Sequence, residues 1–155
     1  MGLFLFVCLV FNLRTSTLIG KPATRSFPIR TECPPGACIC RRNELLESSD
    51  GDLRVLRLTR EEEKQLIHRL ENLSSHNDLQ HVQSRMQQQL GIQLSINTSS
   101  NEVRSLRGIT ILVHEQLGLC KKTRQSIPAA IKRSLEKQPS IAYEILNIGG
   151  LLEGK

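Results

Sequence analysis

The fold is decided by residues 59–90, TREEEKQLIHRLENLSSHNDLQHVQSRMQQQL, which predict two consecutive amphipathic helices. Thr59 and Glu62 form a capping box, in which the threonine side chain accepts a bond from a helical amide and the glutamate reaches back to the threonine amide. The apolar residues of the first helix share one face: Leu66, Ile67, Leu70 and Leu73. This spacing is typical of a helix that packs on a core.

Ser75 begins the next predicted helix, whose apolar residues follow at steps of three and four: Leu79, Val82, Met86 and Leu90. Gly91 predicts the end of this helix, because glycine readily adopts the left-handed conformation found there. Residues 92–96 alternate between apolar and polar side chains. They predict either a short strand or an extended connector.

The remaining helices are predicted with weaker signals. Behind a third capping box, residues 103–117 carry an apolar stripe that predicts a third helix. A fourth helix is predicted over 126–138, because Pro128 is tolerated in a first turn and Pro139 prevents extension. A last short helix is predicted over 140–148, since a glycine pair follows it.

The predicted fold class is therefore all-α: a small bundle of four or five short helices preceded by an irregular, disulfide-held N-terminal arm. Composition favours this class, because the chain has no Trp, one Tyr and four Phe, whereas strands favour aromatic and β-branched residues. The predicted organisation is a signal peptide over 1–20, a Cys/Pro-rich arm over 21–57 and a helical domain over 58–155.

The apolar run over residues 3–11 predicts a secretory signal peptide cleaved between 16 and 20; the alternative is a buried N-terminal helix. Cleavage removes Cys8 and leaves an even number of cysteines, as a disulfide framework in an oxidising compartment requires. Asn72 and Asn97 begin N-glycosylation sequons, which we expect at helix ends or in loops. The sequence thus predicts a secreted, extracellular glycoprotein without a membrane span.

Residues 33–40, CPPGACIC, place three cysteines so close together that one must pair with Cys120 or with a second chain. The preferred connectivity is Cys33–Cys40 with Cys38–Cys120. A Cys38–Cys40 bridge is least expected, since these residues lie too near in sequence to bond easily. A bridge to Cys120 closes a loop of about eighty residues and would contribute roughly 4 kcal/mol in the chain-entropy model.

The sequence contains no motif that predicts catalysis or metal binding. His114 and Glu115 lack the second histidine of a zinc-protease helix, because Gly118 stands four residues after His114. The other histidines show no metal-site spacing to carboxylates or cysteines: His68, His76 and His81. Nucleophile motifs and glycine-rich phosphate loops are also missing. We therefore expect a non-enzymatic protein with no metal and no cofactor.

Basic pairs predict processing sites of a peptide precursor: Arg41-Arg42, Lys121-Lys122 and Lys132-Arg133. The terminal Gly154-Lys155 resembles the amidation signal of peptide hormones, in which glycine supplies the amide nitrogen. Cleavage after Arg133 would release an amidated peptide from Ser134 to Glu153. The alternative is that basic pairs in a chain of net charge +6 lie on solvated helix faces.

Two resemblances meet at the cysteine-rich segment. Cys33 to Leu46, Cys-x4-Cys-x-Cys-Arg-x-x-Glu-Leu-Leu, resembles the disulfide head of orexin-type neuropeptides, although Glu32 stands where that family has a further cysteine. Together with Leu53–Leu58, the same segment also resembles the N-terminal cap of extracellular leucine-rich repeats, but the repeats do not follow. One segment thus suits two unrelated families, and neither resemblance identifies the protein.

These features predict a secreted, cytokine- or hormone-like ligand that binds a protein receptor or another extracellular protein. Basic residues such as Arg124 would complement an acidic partner, and anionic glycans are further candidates. Nucleic acid is not expected, because the chain offers few aromatic side chains for base stacking. The alternatives are a neuropeptide-type precursor cleaved at dibasic sites, and a secreted inhibitor or toxin that presents the Cys33–Cys40 loop.

Overall fold

The structure, a computed structural model, describes residues 28–99 and 106–148. The helices are α1 (Arg42–Glu47), α2 (Arg60–Glu71), α3 (His76–Leu90), α4 (Lys121–Lys137) and α5 (Pro139–Ile148), and the strands are β1 (Leu94–Thr98) and β2 (Ile109–Val113). Within the described residues, none of the helices is both long and apolar enough to cross a membrane. The predicted signal peptide with Cys8, the third capping box beyond Ser99, and the C-terminal Gly154-Lys155 lie outside these residues.

The two helices predicted from residues 59–90 are confirmed. Both bonds of the capping box at Thr59 are present: the Glu62 amide donates to Thr59 Oγ1 over 3.4 Å, and the Thr59 amide donates to Glu62 Oε2 over 3.0 Å. Ser75 Oγ accepts from the Asp78 amide over 3.1 Å at the start of α3. This helix ends at Gly91, whose φ of 70° is the left-handed conformation expected there.

The helix predicted over 103–117 is wrong, because residues 109–113 form β2. This strand pairs antiparallel with β1, with Ile111 opposite Ile96. Buried Ile109 and Ile111 alternate with exposed neighbours, which is the two-residue period of a half-buried strand. The β-branched side chains of this segment also favour a strand over a helix. The fold is therefore mostly helical with a small two-stranded sheet, and not all-α.

The fourth helix was predicted to begin at Ser126, and this start is wrong because α4 already begins at Lys121. Pro128 consequently lies inside the helix and not in its first turn, where its missing amide leaves one helical carbonyl without its usual donor. The buried stripe begins with a polar residue, Thr123, whose Oγ1 donates to Glu63 of α2 over 2.8 Å. A pattern read from apolar residues alone therefore misses the first turns of α4.

The core includes residues on both sides of the domain boundary predicted at residue 58. Val55 and Leu56 are fully buried, and they belong to the same apolar cluster as Ile127 and Ile131 of α4. Leu45 of α1 is buried in this cluster as well. The cysteine-bearing segment is therefore held against the domain by apolar packing, and not by its cysteines alone.

Candidate metal centre

The cysteines of the described residues converge at one place. All their Sγ atoms lie within 4.8 Å of one another: Cys33, Cys38, Cys40 and Cys120. The Sγ atoms of Cys33 and Cys120 are 3.5 Å apart, whereas a disulfide joins sulfurs at about 2.05 Å. These cysteines are free thiols in the structure, so both predicted disulfides stay predictions. The close pair at 3.5 Å is not one of the pairs preferred from the sequence.

A tight turn brings the first two cysteines of the cluster, Cys33 and Cys38, together. The Ala37 amide donates to the Pro34 carbonyl over 3.0 Å, and Gly36 has a φ of 77°. The turn reverses the chain between Cys33 and Cys38 so that both sulfurs face the same side. Proline and glycine are suited to this task, since proline fixes one backbone angle and glycine accepts a left-handed conformation.

Cys120 belongs to a second segment, in which it immediately precedes α4. Its approach depends on Gly118, which has a φ of 82° and whose amide donates to the Cys40 carbonyl over 2.7 Å. The hydrogen bond connects the 33–40 turn to the start of α4. The four sulfurs therefore sit on two segments that the backbone already holds together.

The environments of the thiols differ. Burial raises the pKa of Cys33 and, more strongly, that of Cys120, whose hydrogen bonds with Cys38 and Cys33 raise it further. For Cys38, burial acts in the same direction, but hydrogen bonds from the Cys120 thiol and the Lys121 amide outweigh it and lower the pKa. The first amide of α4 thus favours a thiolate at Cys38, as helix N-termini generally do.

A buried arginine touches the cluster. The Arg30 Nη2 atom donates to Cys40 Sγ over 3.5 Å and to the Gly118 carbonyl over 2.7 Å. Only 8% of the Arg30 surface is exposed, and its Nε atom has no hydrogen-bond partner in the described part of the chain. The cluster therefore borders a buried positive charge.

The compact arrangement fits one four-coordinate ion. A Zn–S bond of about 2.3 Å places the sulfurs of a tetrahedral site about 3.8 Å apart. Here all four sulfurs lie within 4.8 Å of one another, and those of Cys33 and Cys120 are 3.5 Å apart. An iron–sulfur cluster spreads its cysteine ligands around several iron atoms, a wider arrangement than this one. Thiolates also prefer soft or borderline ions such as zinc.

The cluster is accessible from solvent on one side. Cys33, Cys38 and Cys120 border a groove between α2 and α4, whereas Cys40 is buried. Basic side chains from both helices line this groove, among them Arg60 and Lys122. A metal ion can therefore reach the sulfurs without unfolding of the core, which is an entry path that a metal site requires.

The structure locates the predicted glycosylation sites on the surface. Asn72 is exposed at the C-terminal end of α2, as predicted, and its Nδ2 atom donates to the His68 carbonyl over 2.8 Å. Asn97 is also exposed, but it lies within β1 and not in a loop. Glycosylation of either residue stays a prediction.

The predicted processing sites differ in accessibility. Arg41 precedes α1 and is exposed, whereas Arg42 is half-buried and donates to the Arg30 carbonyl. Lys121-Lys122 begins α4, and both lysines are exposed. Lys132-Arg133 lies within α4, and Arg133 forms an ion pair of 2.6 Å with Glu71. Ser134 directly follows and is buried. Release of the peptide from Ser134 to Glu153 would therefore cut a helix that packs in the core.

The histidines contribute nothing to the cluster, since the group that could hold a metal within the described segments consists of cysteines only. No metal site was expected from the sequence, because histidine motifs were missing and the cysteines were assigned to disulfides. The number of cysteines is the signal that could have indicated the candidate site. Cys-x4-Cys-x-Cys plus Cys120 supplies four thiolates, the number that fills a zinc site.

Comparison with protein-family models, with curated proteins and with solved structures finds no match to this chain.

Proposed function

We propose that this chain is a zinc-binding protein in which four cysteines hold one structural Zn²⁺, and that it acts by binding a partner rather than by catalysis. A single observation carries the proposal: the sulfurs of Cys33, Cys38, Cys40 and Cys120 all lie within 4.8 Å of one another. Four protein ligands complete the coordination of zinc and leave no position for water or substrate. Such a site stabilises a fold and does not perform chemistry.

The proposed ion has a clear mechanical role. It would join the 33–40 turn to the start of α4, two segments already connected by the bond from Gly118 to Cys40. Binding of a metal to a site formed only in the folded state adds its free energy to folding. The ion would also hold Ile39, which is 95% exposed between two ligands, in one orientation at the surface.

Metal analysis of the reduced, full-length chain tests the proposal. We expect one zinc per chain after purification without chelators. Replacement by Co²⁺ should give the visible absorption bands of tetrahedral cobalt and an ultraviolet thiolate-to-cobalt band. The single variants at the four cysteines should each lose these bands. A wild-type chain that is folded, reduced and free of zinc or cobalt after incubation with either ion would contradict the proposal.

A second candidate is the secreted, cytokine- or hormone-like ligand predicted from the sequence. It is favoured by the convergence of the four sulfurs within 4.8 Å of one another, since small movements would allow two disulfides to form. The two candidates exclude each other at this site, because bridged sulfurs cannot bind zinc. Disulfides require an oxidising compartment, whereas tetrathiolate zinc requires reduced thiols.

Intact mass spectrometry of the chain from its native source separates the candidates. The zinc protein should carry four thiols that are alkylated only after metal removal. The secreted ligand should begin near residue 20, carry two disulfides and resist alkylation until it is reduced. Glycans on Asn72 or Asn97 would also favour the secreted ligand, because N-glycosylation takes place in the secretory pathway.

A further inference from the structure

Arg30 has an unusual environment for a charged side chain. It is 92% buried, given its exposure of 8%, and among the described residues no carboxylate forms an ion pair with it. Among the described residues, the Arg30 side chain donates hydrogen bonds only to the Gly118 main-chain carbonyl and to Cys40 Sγ. Burial of an unpaired charge is costly, so native proteins place a countercharge beside it.

The cysteine cluster can supply this countercharge as thiolates but not as disulfides. Two disulfides carry no charge and would leave the Arg30 guanidinium buried alone. Four thiolates on Zn²⁺ carry a net charge of −2, directly beside Nη2, which lies 3.5 Å from Cys40 Sγ. Residues that donate hydrogen bonds to metal ligands typically alter metal affinity 10- to 100-fold when they are replaced.

We infer that Arg30 is a positioning residue of the zinc centre: its guanidinium neutralises part of the thiolate charge and holds Cys40 in the ligand geometry through the bond to Cys40 Sγ. The inference rests on the proposed zinc site and adds a role for a residue that is not a ligand. The main chain also holds Arg30 in place, because its amide donates to the Leu56 carbonyl over 2.8 Å.

The test compares substitutions that separate charge from shape. Arg30→Gln removes the charge but keeps a donor for the Gly118 carbonyl, whereas Arg30→Lys keeps the charge. Arg41→Gln is the matched control, because Arg41 adjoins the ligand Cys40 but is exposed and pairs with Glu44. Zinc affinity is measured by competition with a calibrated chelator, and each variant is also loaded with Co²⁺.

We expect Arg30→Gln to bind one zinc with at least 10-fold lower affinity, and Arg30→Lys to remain within about threefold of wild type, because the lysine ammonium still supplies the countercharge. Arg41→Gln should not differ measurably. The thiolate-to-cobalt band of Arg30→Gln should move to longer wavelength, since loss of the positive charge raises the energy of the sulfur electrons. A residue with a merely structural role would not shift this band.

The inference is overturned if Arg30→Gln matches Arg41→Gln in both zinc affinity and band position, in which case the zinc site itself still stands. If the wild-type chain binds no zinc, the proposed function fails first, so the two failures are distinguishable. Should Arg30→Gln not fold, Arg30→Lys decides: an affinity loss as large as 10-fold, despite the retained charge, contradicts the role assigned to the charge.

Discussion

The Gly118 amide donates a 2.7 Å hydrogen bond to the Cys40 carbonyl and thereby joins the two segments that carry the cysteines. Both atoms are main-chain atoms, so the junction does not depend on the state of the sulfurs. Gly118 also accepts from the Arg30 side chain over 2.7 Å. One glycine thus contacts both the 33–40 turn and the buried arginine, two residues before Cys120.

Replacement of this glycine should damage both folding and metal binding. In Gly118→Ala, the new Cβ would lie 2.6 Å from Leu45 Cδ2 and 2.9 Å from Val55 Cγ1, at a φ of +82°. Overpacking and left-handed strain together predict a loss of about 2–4 kcal/mol in the free energy of unfolding. Urea denaturation of the zinc-loaded protein measures it, and zinc affinity should fall in parallel.

The matched control for this substitution is Gly36→Ala. Gly36 has a φ of +77°, but nothing lies within 4 Å of its added Cβ, so only the backbone strain of about 1–2 kcal/mol applies. Equal losses for the two variants would show that the close packing of Gly118 against Leu45 and Val55 has no energetic importance.

Removal of one cysteine should distinguish the stability contributed by the proposed zinc centre from that contributed by the apolar core. Cys120→Ser is expected to abolish tight zinc binding and to destabilise the chain by more than about 3 kcal/mol, since the link across a loop of about eighty residues is lost. Thermal unfolding with and without a chelator measures this: wild type should lose stability on chelation, and the variant should not respond.

The control for the ligand variant is Arg41→Gln, because Arg41 is exposed and pairs with Glu44 and not with a cysteine. Its zinc content should stay at one per chain. If chelation leaves the unfolding temperature of wild type unchanged while Cys120→Ser is still strongly destabilised, the loss reflects packing of the cysteine side chain and not metal binding.

The elements that the sequence predicts correctly are those specified by contacts within a single helix. α2 and α3 could be predicted because caps such as Thr59 and Ser75 and the apolar spacing act within one helix. β2 could not, because its pairing with β1 is a contact between distant residues, while the apolar residues of 103–117 also fit a helical period. Here the β-branched side chains and the pairing prevail over the helical pattern.

The proposed metal centre could not be predicted from the sequence for a related reason. The three cysteines of 33–40 were apparent, but their chemistry depends on where Cys120 lies and on the buried charge of Arg30. Neither position is encoded by local spacing. The predicted signal peptide then favoured disulfides, because the compartment alone decides between bridged and metal-bound cysteines when no geometry is known.

The capping box of α2 gives a prediction that is independent of the metal. Thr59→Ala removes the acceptor for the Glu62 amide and should destabilise the protein by about 1 kcal/mol. Ser126→Ala is the control within a helix: Ser126 Oγ donates to the Lys122 carbonyl, and alanine has the higher helix propensity, so stability should stay equal or rise slightly. Equal destabilisation of both variants in urea would contradict the capping assignment.

The last prediction concerns Asp78, which connects α2 to the start of α3. Hydrogen bonds from the Arg69 guanidinium and the Ser74 amide lower the pKa of Asp78 from 3.8 to about 2. A carboxyl whose pKa is lower in the folded state stabilises the fold above its unfolded pKa, and this contribution disappears as the pH falls through the folded pKa. The contribution of Asp78 should therefore be complete above about pH 5 and decline between about pH 4 and pH 2.

Asp78→Asn tests this dependence, because asparagine keeps the shape of the side chain but has no charge to titrate. Acid also protonates thiolates and releases zinc, so wild type and variant are compared at each pH and only their difference is interpreted. Urea denaturation at pH 7, 5 and 3 should show wild type more stable at pH 7 and pH 5, with a smaller difference at pH 3. A difference that stays constant over this range would mean that the ion pair between Arg69 and Asp78 does not persist in solution.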